Sequence, residues 1–178
     1  MSNENLVKER SCIDCAVKNC DKMDKSYPEF CLTTNMNPEV YQEAMACYEE
    51  EENHKTMVAA AEVEYEHYCQ YTRVEEIMEF ARKIGAKKIG IATCVGLLKE
   101  SRTLASIMRN HGFEVFGIAC KAGATPKSSV GIPKECNGIG LNMCNPILQA
   151  KMLNHAKTDL NVVVGLCVGH NSLFYKYS

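Results

Sequence analysis

Lys88-Ile89-Gly90-Ile91-Ala92, followed at once by Thr93-Cys94-Val95-Gly96-Leu97, is the stretch on which the fold turns. A short apolar run of this kind reads as a buried strand. The chain from Leu97 to Asn110 then reads as a helix, closed by Gly112. Phe113 to Ala119 is the next strand and Cys120 follows it directly. Asn161 to Leu166, with VVVGL at its centre, is the third, and Cys167 follows that. Strands alternating with helices imply βαβ units in a parallel, doubly wound sheet. The fold class read here is α/β: a small Rossmann-like parallel sheet with an N-terminal cysteine-rich metal-binding segment and a helical arm.

Outward from that core the chain divides into three stretches: 1–37, 38–85 and 86–178. Residues 1–37 are polar and carry Cys12, Cys15, Cys20 and Cys31, spaced C-x2-C-x4-C-x10-C. They lack helical or strand periodicity, and such a segment folds when a metal crosslinks it. Asn37-Pro38 opens a helix, asparagine being a good N-cap and proline suiting the first helical position. The pattern continues to Tyr71, with His54, Met57, Val58, Ala61, Tyr65 and Tyr68 on one face; the Glu49–Glu52 run either interrupts or exposes it. Thr72 and Glu75 form a capping box that starts a second helix, and Gly85 ends it. Between the second strand and Asn145-Pro146, which opens a helix running to about Lys157, lies the glycine- and proline-rich loop 121–144. Loops this long are usually functional or disordered.

Four further cysteines mark the core domain: Cys94, Cys120, Cys144 and Cys167, separated by 26, 24 and 23 residues. Three follow strands and Cys144 precedes a helix start. In an open α/β sheet these points share one edge, the carboxyl ends of the strands, where such folds place ligands. The scattered four are therefore expected near one another. Cys94 and Cys144 precede helix N-termini, whose dipole and free N–H groups favour the thiolate, the metal-binding form. Two sets of four thiols suit zinc or an iron–sulfur cluster. His170 is placed as a further ligand, a proton donor or neither, and His111 as an electrostatic cap on a helix end. Cys47 and Cys69 on the arm read as packing residues, and Cys136 is left undecided.

The chain has 178 residues, 46% of them hydrophobic, which suffices for a proper core without a cysteine framework. Eleven cysteines is an odd count, and in a reducing compartment thiols or metal ligands are expected rather than disulfides. No apolar run reaches the ~18–20 residues of a membrane span. The opening MSNENLVKERSC has no hydrophobic stretch, so a secretory signal is not expected and a cytoplasmic location is. From Glu39 to Glu79 twelve glutamates face only Lys55 and Arg73, whereas the remainder holds 18 basic and 10 acidic residues. The basic residues do not cluster with aromatics, which gives no support to nucleic-acid binding. Neither a G-x-G-x-x-G nor a Walker pattern occurs.

CIDCAVKNC with Cys31, IGIATCVGLLKESR, GFEVFGIACKAG, MCNPILQAKMLN and TDLNVVVGLCVGHNSLFYKYS together resemble the uncharacterised metal-binding proteins grouped as domain of unknown function 1847. The resemblance covers nearly the whole chain and implies a metal-binding protein of anaerobic bacteria and archaea, with no reaction attached. It carries the ligand role onto Cys12, Cys15, Cys20, Cys31, Cys94, Cys120, Cys144 and Cys167. Two departures stand out: Leu32 occupies a position where proline is expected, and a further hydrophobic strand expected beyond the KYS motif is missing, which suggests a truncated product with one sheet edge exposed. The function expected is that of a metalloprotein with two four-cysteine sites, zinc or iron–sulfur, with a redox or electron-transfer role and a small-molecule or redox-protein partner. Two alternatives stand beside it: a metal carrier or sensor without turnover, and a thiol-based enzyme using Cys94 or Cys167.

Overall fold

The computed structural model describes residues 10–22 and 26–178. The chain forms two compact units, one up to Met57 and one from Val58 to Ser178.

In the first unit, a short 3-10 turn at Cys12–Asp14 is closed by Asp14, whose carboxylate accepts from the Ser11 N–H at 2.9 Å. Helix α1 covers Asn19–Lys22, and α2 covers Pro38–Cys47, capped by the Asn37 side chain on the Glu39 N–H. None of the unit's described residues is buried. Of the two readings of the Glu49–Glu52 run, interruption is the one found: the helical stretch from Asn37 is two helices. It breaks over Tyr48–Glu50 and resumes as α3, Glu51–His67. Helix dipoles explain the break. Glutamates are unfavourable at the negative C-terminal end of α2, but Glu51 and Glu52 in the first turn of α3 face its positive end. The part of α3 from Val58 onward belongs to the second unit and holds its buried residues, the small Ala59 and Val63; Met57, Val58, Tyr65 and Tyr68, read as one face, are exposed.

In the second unit, α4 (Arg73–Ile84) has the expected capping box of Thr72 and Glu75. It ends at Gly85 in the left-handed conformation (φ 77°), with the Ala86 N–H closing back on the Ala81 carbonyl at 2.8 Å. Strand β1 (Lys88–Thr93), helix α5 (Leu98–Asn110), strand β2 (Glu114–Ala119), helix α6 (Pro146–His155), strand β3 (Leu160–Val164) and helix α7 (His170–Tyr177) follow in order. The three strands are all parallel, in the order β2-β1-β3, with Ile91 level with Gly117 on one side and Val162 on the other. The α/β reading holds.

Both faces of the sheet are covered. Ile89 and Ile91 pack with Met78 and Ala81 of α4 and with Ala105 and Met108 of α5. Ala92 and Ile118 pack with Ala150 and Leu153 of α6 and Phe174 of α7 on the other face. Gly90 lets α6 come close: a Cβ there would collide with the Asn161 side-chain oxygen and lie 3.1 Å from Leu153 Cδ1. The Asp159 carboxylate accepts from the Lys87 and Lys88 N–H groups at 2.8 Å each, tying the start of β1 to β3; those two bonds hold its carboxyl below the usual range. Strands β2 and β3 are the sheet edges. Along β3 runs a groove of about 620 Å3, walled by α3 and α4.

Loop 121–144 is pinned. It holds 3-10 turns at Lys127–Val130 and Lys134–Ile139 and an antiparallel bridge between Pro126 and Asn142. Lys127 is buried and its ammonium donates to the Cys136 carbonyl, while Lys121 Nζ donates to the Asn142 carbonyl at 2.6 Å. Among the described residues no helix is long and apolar enough to cross a membrane.

Candidate metal centre

The carboxyl edge of the sheet is assembled from backbone hydrogen bonds. Cys94 ends β1, and its N–H donates to the Val164 carbonyl of β3 at 3.1 Å. Cys120 ends β2; its N–H donates to the Thr93 carbonyl at 2.8 Å, and its own carbonyl accepts from the Asn145 N–H at 2.7 Å. Asn145 caps α6 by accepting from the Leu148 N–H at 3.0 Å, and Cys144 immediately precedes it. Strand ends and helix start are thus locked together, and the cysteines ride on them.

Three thiols meet. Cys120 is 3% exposed, and its sulfur accepts from the Val95 N–H at 3.3 Å. Cys144 and Cys94 lie near enough to Cys120 to act on its titration. Burial is the main force on its titration and pushes it up to about 11; the Val95 N–H opposes this, and the neighbouring Cys144 and Cys94 add to it. Cys94 and Cys144 are partly exposed. Cys167 is exposed on the turn between β3 and α7, flanked by Gly165 and Gly169 with positive φ, and among the described residues it closes no trio with the other sulfurs. The His170 N–H donates to the Cys167 carbonyl at 3.0 Å and starts α7.

In the first unit the four cysteines sit on short turns. The Cys15 thiol donates to the Val17 carbonyl at 3.1 Å, and Cys20 lies in α1. Cys31 closes a turn onto Pro28 at 2.9 Å, and Asn35 Nδ2 bonds both the Glu29 and Cys31 carbonyls at 2.7 and 2.9 Å. The Thr33 hydroxyl lowers the Cys31 thiol below its usual range, against a small opposing effect of burial.

Donor chemistry and spacing both bear on what these thiols hold. Zinc–thiolate bonds of about 2.3 Å in a tetrahedron put the sulfurs roughly 3.8 Å apart. Among the described residues the one trio of metal-capable ligand atoms within 4.8 Å of one another is Glu66, His67 and Glu79, so neither cysteine set has three sulfurs that close. The thiol sets are soft donors suited to zinc or iron, arranged more openly than a closed zinc tetrahedron. The glutamate–histidine trio, which the sequence reading missed, is taken up by ion pairs: Lys83 binds Glu66 at 2.9 Å and Glu62 at 3.0 Å, Arg82 binds Glu79 at 3.2 Å, and His67 stacks on Tyr71. It ties α3 to α4.

Cys47 and Cys69, read as packing residues, are exposed, because the helical arm presents neither to a core; Cys136 is exposed as well. His111 does cap α5, with ring Nδ1 2.9 Å from the Ile107 carbonyl. The sequence reading also missed Gln149, buried beneath the cysteines with Nε2 on the Thr93 and Ile118 carbonyls. Its signal was available, a polar residue on the apolar face of α6.

These features define a cysteine-bearing α/β protein with its thiols at the ligand edge of a parallel sheet. The chain belongs to the family described as protein of unknown function (DUF1847), whose model matches residues 31–178. The match takes in Cys31 and the four sheet-edge cysteines and leaves Cys12, Cys15 and Cys20 outside it. A relative from Methanocaldococcus jannaschii, named uncharacterized protein MJ0455, is 41% identical over 160 residues, 89% of this chain and 81% of that protein. No solved structure matches.

Proposed function

We propose that this chain is a metal-binding protein whose working centre is the sheet edge, held by Cys94, Cys120 and Cys144 with Cys167 brought in from its turn. The observation that supports this most is that backbone hydrogen bonds lock together the separate elements carrying the first three thiols, up to 50 residues apart in sequence, at the edge where parallel sheets bind ligands. A core cysteine has no need of two others beside it.

An iron–sulfur cluster fits the spacing better than a single zinc ion, since a cluster spreads its thiolates over several metal atoms. Such a cluster would supply single-electron transfer. Cys94 and Cys144 would present thiolates at helix starts, Cys120 would give its thiolate from the buried side, and the Val95 N–H would stabilise the Cys120 sulfur once it is ionised. Cys12, Cys15, Cys20 and Cys31 form a second site that folds its own segment, because nothing described in that unit is buried enough to do so. A carrier that exchanges metal without turnover is the second reading, supported by the exposure of Cys167.

Metal analysis of protein purified without oxygen tests the proposal. Replacing Cys94, Cys120 or Cys144 with serine is expected to remove one site's worth of metal and leave the other. Unchanged stoichiometry in all three variants would overturn it. A colourless protein holding only zinc would remove the electron-transfer role and keep the sites.

A further inference from the structure

Gln149 is 1% exposed and sits in the second turn of α6, yet both of its donated hydrogen bonds leave the helix. Nε2 donates to the Thr93 carbonyl on β1 at 3.0 Å and to the Ile118 carbonyl on β2 at 2.8 Å. Two carbonyl partners on one atom fix which end of the carboxamide is nitrogen, so the side chain is not free to flip. The other end, Oε1, is buried and has no hydrogen-bond partner among the described residues. A buried amide oxygen without a donor is costly, and such groups are rare enough to call for a reason.

The two carbonyls identify that reason. Thr93 directly precedes Cys94, and its carbonyl also takes the Cys120 N–H. Ile118 lies two residues before Cys120. Asn145, one turn earlier on α6, takes the Gln149 N–H on its carbonyl at 3.1 Å and donates its own N–H to Cys120. One short piece of chain, Cys144 to Gln149, thus carries the third thiol and brackets the strand ends bearing the other two. Two N–H groups on one neutral atom at this reach are what glutamine provides. Glutamate would set oxygens against carbonyl oxygens, methionine would offer no donor, and asparagine is one methylene short.

We propose that Gln149 is the positioning residue of the sheet-edge thiols: by bridging the Thr93 and Ile118 carbonyls it sets the separation of Cys94 and Cys120 against Cys144. The role rests on the reading that these thiols hold a metal. It acts through the backbone that carries the ligands, as partners of metal ligands do when their loss weakens binding about 10- to 100-fold.

The test compares the full chain, reduced and metal-free, with Gln149→Met and Gln149→Asn, using Cys94→Ser as reference. Each protein is titrated with cobalt(II), and the thiolate-to-cobalt absorption is recorded. Each metal-free protein is then treated with phenylarsine oxide, which bridges only neighbouring thiols, and the bridged cysteines are located by mass spectrometry. Gln149→Met is expected to bind cobalt about 10- to 100-fold more weakly at the site lost in Cys94→Ser, with an altered absorption band, and to slow bridging among Cys94, Cys120 and Cys144. Gln149→Asn, which keeps both donors, should lie between, and it decides the matter if the methionine variant does not fold. A wild-type spectrum identical to that of Cys94→Ser would overturn the metal reading, and the arsenical rates would then settle the role of Gln149 alone. Unchanged band, affinity and bridging in folded variants would overturn the positioning role, even if their melting temperatures fell.

Discussion

Cys120 holds its proton far more tightly than an ordinary thiol because burial withholds water from its thiolate and the adjacent Cys144 and Cys94 disfavour a second negative charge. A folded-state value raised from 9.0 to about 11 means that the native metal-free protein keeps a proton the unfolded chain releases. Stability from this group is complete below the unfolded value and is lost as pH rises through the folded one. Denaturant unfolding of metal-free protein is expected to be unaffected by this group up to about pH 9 and to lose roughly 1–2 kcal/mol of its contribution by about pH 11. Cys120→Ala should remove that share of the alkaline fall; an identical profile in the variant would show that lysines and tyrosines account for all of it. At this scale the sequence was a good guide to where Cys94, Cys120 and Cys144 fall in the fold and a poor guide to the exposure of the cysteines. Cys94, Cys120 and Cys144 follow from strand and helix punctuation, whereas the burial of Cys120 and the exposure of Cys47 and Cys69 depend on packing that no local pattern encodes. Gln149 could be noticed as a polar residue on an apolar helix face, but its partners could not be read, since they lie 56 and 31 residues away.

Strand β1 shows how elements constrain each other. It is flanked by two parallel partners and pressed by α6, and Gly90 is where that pressure is met. The Asn161 side chain that a Cβ would strike is itself engaged, its Oδ1 taking the Thr158 hydroxyl at 2.7 Å and its Nδ2 donating to Ser178 Oγ at 2.8 Å. Gly90→Ala is therefore expected to destabilise the fold by about 1–3 kcal/mol, read as a lower denaturation midpoint with an unchanged slope. A variant as stable as the wild type would mean that the Asn161 side chain gives way at little cost. Strands and the helices α4, α5 and α6 were legible because each is bounded by a cap, a proline or a glycine. Two features were less plain. The break between α2 and α3, left open at the Glu49–Glu52 run, carries no glycine or proline, only glutamates that suit a helix start and not a helix end. Helix α7 is eight residues long, too short for its own periodicity to announce it, and is held by the burial of Phe174 and the bond from Asn154 Nδ2 to the Tyr177 carbonyl at 2.8 Å.

For the whole molecule, the doubly wound arrangement explains why cysteines scattered over 74 positions come to one side of the sheet: parallel strands deliver every carboxyl end there. The same arrangement leaves β3 as a border. Among the described residues no strand pairs with its outer side, which borders a groove, and its residues include Val162, Val163 and Val164. Such a border is a template for another chain as much as an end to this one. The protein is therefore expected to carry a memory of how it was stored. Samples held concentrated should scatter more light and gain intermolecular sheet by infrared absorption, and dilution should not fully reverse either change, while samples kept dilute throughout should show neither. Identical spectra for the two histories would mean that the border is closed in solution. A preparation's history is then a variable to be controlled like its pH, before any difference between two batches is ascribed to metal.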